Sequence, residues 1–400
     1  MRRLVFAPLL FVSLAATVQA QTAPQETRAA RIAAEQQEKA KDLKPYAPNK
    51  AELWVKELDQ TFFSGQLRWH PFFESAYRGG GFTLGAGYLA HVGDYNWVDV
   101  RGSVTPSGYI RAEGEFRAPR LFDRRGSLSV IGGWRKATEV GYYGLGTANT
   151  SKDDRALYSF TQPYVSGILD VRPWRHWLVI SGGLDYAEWN PGPAQGSSPS
   201  IEEVYTPETA PGLGATPTYV HGFGTLAVDS RPAPGYARRG GYYAASLHGY
   251  ADSDSLYSFQ RVDYEAIQHV PLGRDRWVLS LRGKVETTYT GDGHTVPYFM
   301  MPSLGGGSDM RGFSSWRFRD LHSLLLQAEW RVLVNAFFDT AIFYDTGKVT
   351  SRRSELDFTE LKSDYGIGFR LHGPLATPIR IELANSNEGF HLIFSSSAVF

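Results

Sequence analysis

From about residue 65 onward, polar and apolar side chains alternate in segments of roughly ten residues, separated by turns rich in Gly, Pro and Asp. In Tyr109–Ala118, one face carries Tyr109, Arg111, Glu113, Glu115 and Arg117, and the other Ile110, Ala112, Gly114, Phe116 and Ala118. In Arg276–Tyr289, Ser280, Arg282, Lys284, Glu286 and Thr288 oppose Leu279, Leu281, Gly283, Val285, Thr287 and Tyr289. Gln327, Glu329 and Arg331 alternate with Leu326, Ala328, Trp330 and Val332; Lys362, Asp364, Arg370 and His372 alternate with Ile367, Phe369 and Leu371. A period of two puts these sets on opposite faces of β-strands. Counting segments predicts about sixteen strands, centred near residues 71, 86, 100, 112, 132, 163, 181, 223, 245, 263, 282, 327, 344, 367, 381 and 395. An even number leaves both ends of the array on one side. Short turns (Val92–Asp94, Gly373–Pro378) alternate with long connections (Glu139–Arg155, Trp189–Pro217, Thr290–Arg319), so the long ones share the opposite side. Trp189–Pro217, rich in Pro, Gly and Ser, reads as mobile.

A soluble β-sandwich also alternates. Two features favour a membrane barrel. The polar face carries charges of both signs, as a watery lumen allows, and the apolar face runs to the last residue, with Phe390, Leu392, Phe394 and Phe400 on one side. Beyond the first twenty residues no apolar run is long enough for a transmembrane helix, so a spanning structure must pair its backbone between strands. The expected fold is all-β: a transmembrane antiparallel β-barrel preceded by a short helical segment. Aromatic residues at 14% and 42 glycines suit interfacial girdles and tight turns.

The N-terminus reads differently. Arg2 and Arg3, the apolar stretch Leu4–Val18 and the small-residue site Val18-Gln19-Ala20 have the form of a secretory signal peptide over residues 1–20. Residues 21–65 read as a periplasmic helical leader. Arg28–Lys44 is weakly amphipathic, Pro45 and Pro48 interrupt it, and Asn49 can cap a second helix carrying Leu53, Trp54, Leu58 and Phe62, which would pack at the periplasmic mouth. Residues 66–400 form the barrel, and the location is the outer membrane of a Gram-negative cell.

With no cysteine, the chain has neither disulfides nor thiolate metal sites, and zero formal net charge gives no electrostatic reason to bind nucleic acid. No Gly-x-Ser-x-Gly, P-loop or pair of histidines at metal spacing occurs. His70, His248 and His372 read as polar wall residues, and Ser395, Ser396 and Ser397 lie outside any nucleophile motif. No catalytic residue, metal ligand or cofactor is expected.

Several short motifs carry a family resemblance. Pro302-Ser303-Leu304-Gly305-Gly306-Gly307-Ser308-Asp309-Met310-Arg311-Gly312-Phe313 resembles the Leu-Gly-Gly … Val-Arg-Gly-Phe/Tyr signature in the sixth extracellular loop of the BamA–TamA superfamily, the bacterial surface antigen barrels, with Met310 in place of Val. Phe343-Tyr344-Asp345-Thr346-Gly347 resembles the family's Phe-x-Asp-x-Gly on the next upward strand, and Glu329 sits where the family has an inward acid. Asp229-Ser230-Arg231 with Pro234 and Gly240 resembles the turn before the ninth strand, and Tyr142-Tyr143-Gly144-Leu145-Gly146 a loop motif. The hits keep the family order over residues 140–400. Larger members carry periplasmic POTRA modules before the barrel. The leader is too short for one, so the resemblance is to a POTRA-less member, which puts client recruitment through such modules in doubt.

These residues also make physical sense by themselves. Arg311, between glycines that tolerate tight backbone, can fold into the lumen, where its guanidinium needs carboxylate partners; Asp345 and Glu329 face the polar side of adjacent strands. The expected lock comprises Arg311, Gly312, Phe313, Glu329, Asp345 and Gly347, with Leu304, Gly305 and Gly306 shaping the loop. Closing the barrel requires the first strand, near Leu67–Tyr77, to meet the last, near Phe390–Phe400. Pro71 lacks an N–H and the serines near Phe400 offer little apolar area, so this seam should be weakly paired. The resemblance implies insertion or translocation of protein or lipid, with outer-membrane lipids and client proteins as partners. The alternatives are a passive pore and an enzyme scaffolded on the barrel. Oligomeric state is left open.

Overall fold

The computed structural model describes residues 31, 32, 34, 35, 38 and 68–400 apart from 149, 175, 274, 275, 396, 397 and 399. Arg31, Ile32, Ala34, Glu35 and Glu38 are helical and exposed, within the first expected leader helix. The signal peptide and the second leader helix, with Trp54 and Phe62, lie outside the described residues. No described helix is long and apolar enough to cross a membrane.

Sixteen wall strands follow: β1 (Trp69–Pro71), β2 (Leu84–Val92), β3 (Asn96–Val104), β4 (Ile110–Leu121), β5 (Gly126–Tyr142), β6 (Ala156–Val171), β7 (Leu178–Glu188), β8 (Thr218–Asp229), β9 (Gly240–Asp252), β10 (Phe259–Leu272), β11 (Trp277–Tyr289), β12 (His322–Asn335), β13 (Phe338–Thr350), β14 (Lys362–Leu371), β15 (Ile379–Ser386) and β16 (Gly389–Ser395). Each expected strand centre falls inside one of them. Every strand pairs antiparallel with its neighbours in sequence, from β1–β2 through to β15–β16. This is the meander of an up-and-down barrel.

The two faces are inverted relative to a soluble protein. Outward side chains are apolar and bare: Val100 is 60% exposed, Leu184 69%, Leu247 56% and Leu392 62%. Inward ones are charged and buried, among them Glu113, Glu329, Asp364, Arg370 and Glu382. Hydrocarbon outside and ion pairs inside account for this arrangement; water outside does not.

Proline explains one irregularity. Pro163 sits within β6, opposite Trp134. On its other side the partner breaks: Tyr164 still pairs with Ala187, but pairing resumes only at Thr161 with Asn190. Without an N–H at 163 the ladder cannot run through. Trp189 leaves the wall there, its N–H bonding Pro217 O at 3.0 Å, and buries its ring.

Two expectations are corrected. The Trp189–Pro217 connection is not a mobile loop. Residues Asn190–Pro193 extend the sheet, Ile201–Val204 form a helical turn, and Ile201 and Ala210 are fully buried, because the loop's scattered apolar residues join a common cluster. Phe400 does not share the lipid face of Phe390, Leu392 and Phe394. Its ring stacks on inward-facing His269 of β10, with centroids 6.1 Å apart, and β16 ends at Ser395, so the alternation of that strand does not extend to Phe400.

Candidate functional site

The loop between β11 and β12 builds the site. Its stalk is a two-residue ladder, Ser303 with Arg319 and Leu304 with Phe318. Gly305 and Gly306 then reverse the chain at φ of +112° and +104°, and a Cβ on Gly305 would lie 2.3 Å from Ser314 O. Only glycine fits that turn. The Gly306 N–H reaches both Met310 O and Phe313 O at 3.1 Å, closing the tip on itself. Met310 and Phe313 are buried with Leu304, Phe318, Leu325 and Val349, and the Phe313 and Phe318 rings meet edge-on at 5.0 Å. An apolar plug thus docks the tip against β12 and β13.

That docking drives Arg311 into the wall. It is completely buried. Nε and Nη2 donate to the two Asp345 oxygens at 2.7 and 2.8 Å, the bidentate geometry suited to a guanidinium. Nη1 reaches Glu329 at 3.0 Å and Glu382 at 3.1 Å, and the guanidinium lies 3.5 Å from the Phe343 ring centroid. Gly312 is small because a Cβ would lie 2.5 Å from Asp364 Cβ, and one on Gly347 would lie 2.9 Å from Leu304. All nine expected lock and loop residues therefore meet at one place.

Sequence reasoning missed part of the network. Arg370 clamps Glu329 with both terminal nitrogens and reaches Glu382 at 3.0 Å. Glu382 also lies 3.3 Å from Arg380, and Gln327 donates to Asp345 at 3.1 Å. Strand parity alone places Arg370 and Gln327 on the inward face, and the same alternation extended to β15 is the signal that finds Glu382. The Tyr142–Gly146 motif docks on the same loop: Gly146 N–H bonds Arg319 O at 2.9 Å, and Arg317 lies 5.0 Å from the Tyr143 ring. In the turn before β9, Arg231 pairs with Asp229 at 3.0 Å.

The seam residues do not meet in this way. Pro71 ends β1, which pairs with Tyr88–Ala86 of β2, and backbone hydrogen bonds continue on either side, from Phe72 N–H to Gly85 O and from Leu89 N–H to Arg68 O. No ladder joins β1 to β16 among the described residues, and Phe400 lies on His269 instead.

Inward side chains pack together toward both ends of the strands. On the long-loop side Tyr142, Tyr158, Phe160, Trp189, Tyr298 and Phe299 form an aromatic dome, with the Tyr158 and Tyr298 rings 5.0 Å apart. Arg319 is buried beneath it, donating to Tyr298 O at 2.7 Å and Tyr158 OH at 3.2 Å. At the other end the turn before β9 tucks inward, where the Tyr236 hydroxyl bonds Asp339 at 2.8 Å and His372 at 3.0 Å. Arg331 holds Ala237 O of the same turn and lies 3.6 Å from Glu329, so it touches the Arg311 network as well.

Asp320, at the base of the loop, supplies a pH test. Burial pushes its carboxyl up to about 6, with the Leu321 N–H opposing and Glu355 adding to the rise. A carboxyl raised in the folded state stabilises it below the unfolded pKa of about 4, and that stabilisation is lost as pH rises through about 6. The wild type should therefore lose stability relative to Asp320→Asn between about pH 4 and pH 8. Heat-modifiable gel migration measures this; a difference independent of pH would refute it.

Residues 237–391 match the Omp85 superfamily domain. The fold is similar to BamA from Haemophilus ducreyi lacking POTRA domains 1–3, with a TM-score of 0.59 at 14% identity over 87% of this chain and 78% of that one. It is also similar to CdiB from Acinetobacter baumannii, with a TM-score of 0.47 at 12% identity over 79% and 57% of the two chains. No curated protein matches the sequence significantly.

Proposed function

On the premise that this chain forms an Omp85-type outer-membrane barrel of the BamA–TamA kind, we propose that it inserts or translocates protein or lipid at the outer membrane by parting its wall at the β1–β16 seam. The carrying observation is the contrast between that seam and the rest of the wall. Neighbouring strands elsewhere share ladders of up to fifteen residue pairs, as in β5–β6, whereas β1 has no ladder to β16 among the described residues. Each ladder hydrogen bond is worth about 1 kcal/mol net, so the seam is the cheapest place to open. A route along the axis is disfavoured by the aromatic dome, the Arg311 plug and the inward turn at Tyr236.

The partners on this reading are outer-membrane lipids, which would face the opened seam, and an extended client strand, which could add to its bare backbone edges by β-augmentation. The test is reconstitution of the purified protein into lipid vesicles with an unfolded outer-membrane barrel as client. Faster client folding than in protein-free vesicles, with little steady conductance, is expected. Large steady conductance without acceleration would replace this function with that of a pore, and lipid or peptide hydrolysis without acceleration would replace it with an enzyme.

A further inference from the structure

We propose that the β11–β12 loop is a clasp closing the seam from inside, and that the seam opens when this loop lets go of residues Tyr77–Gly79. The inference rests on the seam-parting function above and supplies its regulation. The loop touches both sides of the seam. On the β16 side, Arg317 Nε donates to Glu388, in the β15–β16 turn, at 2.8 Å. Ser386 donates to Gly312 O at 2.6 Å, and Arg380 to Gly307 O at 2.8 Å. A Cβ on Gly307 would lie 2.9 Å from Ile393 of β16.

On the β1 side of the seam itself, the contacts converge on the segment just after β1. The Arg78 guanidinium pairs with Asp309, reaches Ser303 Oγ at 3.1 Å, and lies 4.0 Å from the centre of the Trp316 ring. Trp316 Nε1 donates back to Arg78 O at 2.8 Å, and Tyr77 stacks flat on Trp316 at 4.5 Å. Loop contacts thus bridge the extracellular half of a seam that lacks a strand ladder among the described residues.

The two grips differ. On the β16 side the loop is anchored at several separate points, including the buried Arg311–Glu382 contact at 3.1 Å, and away from the seam Arg317 also holds Thr150 O of the β5–β6 connection at 2.8 Å. The β1-side grip is one short segment, and its Arg78 side chain keeps 27% of its surface in water. Water can replace a partly solvated ion pair cheaply, whereas the dry network has no such substitute. The loop therefore stays with β12–β16 and separates from Tyr77–Gly79.

The experiment uses the natural absence of cysteine. Trp69→Cys and Phe394→Cys, on outward positions of β1 and β16 away from the clasp, carry spin labels in vesicle-reconstituted full-length protein, and pulsed electron resonance reads the distance across the seam without any client. Arg78→Ala should raise the ratio of long-distance to short-distance populations by about tenfold, the effect of losing a charged contact and a ring contact. Trp316→Phe, which keeps the ring but loses its N–H, should give a smaller rise, and Arg317→Ala little. Heat-modifiability confirms folding of each variant. An unchanged distribution in folded Arg78→Ala, or equal opening in Arg317→Ala, would overturn the clasp. Opening in Arg78→Ala with no client folding by any form of the protein would overturn the insertion function and leave the clasp standing.

Discussion

Arg311→Ala is expected to destabilise the folded barrel by about 3–5 kcal/mol, the usual cost of removing one partner from a desolvated charge pair. No solvent discount applies, because Arg311, Asp345 and Glu382 are fully buried and Glu329 is nearly so. The loss is uneven among the carboxylates. Glu329 keeps Arg370, and Glu382 keeps Arg370 and Arg380, but Asp345 keeps only uncharged donors, Gln327 and the backbone N–H of residue 311. Asp345 also stands directly opposite Asp364 across the β13–β14 ladder, so the two carboxyl groups are left side by side without the guanidinium. Arg311→Lys should recover little, since a single ammonium cannot make the bidentate pair and reach Glu329 and Glu382 together. The temperature at which the folded gel band converts to the unfolded one should fall in both variants. Combined with Asp345→Asn, the loss should be clearly smaller than the sum of the single losses. Strict additivity would mean that the two residues do not interact.

The wall was legible because membrane β-strands carry their environment in every second residue. Lumen charge against lipid apolarity gave all sixteen strand centres, including the three-residue β1, whose Pro71 marks its end. The lock was legible for a different reason. Gly305, Gly312 and Gly347 each stand where a side chain would collide, so backbone constraint wrote itself into the motif. Less legible were contacts that depend on how far a strand runs and where a loop returns. Glu382 and Arg78 belong to no motif, and their partners are 71 and 231 residues away in sequence. The Trp189–Pro217 loop looked mobile by composition, yet its sparse apolar residues, Trp189, Ile201 and Ala210, are the ones that bury it in the dome. Phe400 followed the alternation on paper, but nothing in a period of two reveals where a strand stops.

Stapling the seam should abolish client insertion while leaving the barrel folded. A cysteine at His70 of β1, paired in turn with cysteines along Phe390–Phe394 of β16, samples the available registers in a chain with no competing thiol. Only pairs that bring Cα atoms within about 7 Å can oxidise without backbone movement, so the pairs that form also report how closely the two strands approach. The expected effect is large because of what the staple replaces. Parting a seam with no ladder among the described residues costs a few contacts of about 1 kcal/mol each, a change that thermal motion and client binding can supply. Parting a disulfide means breaking a covalent bond. Oxidised protein should therefore fold clients no faster than empty vesicles do, and reduction should restore the rate in the same sample. A matching staple between β12 and β13, whose ladder has no reason to open, should change nothing and so separates gating from a general effect of cross-linking. If the oxidised seam variant accelerated client folding as well as its reduced form, the wall would not open there, and the route for clients would have to lie elsewhere in the barrel.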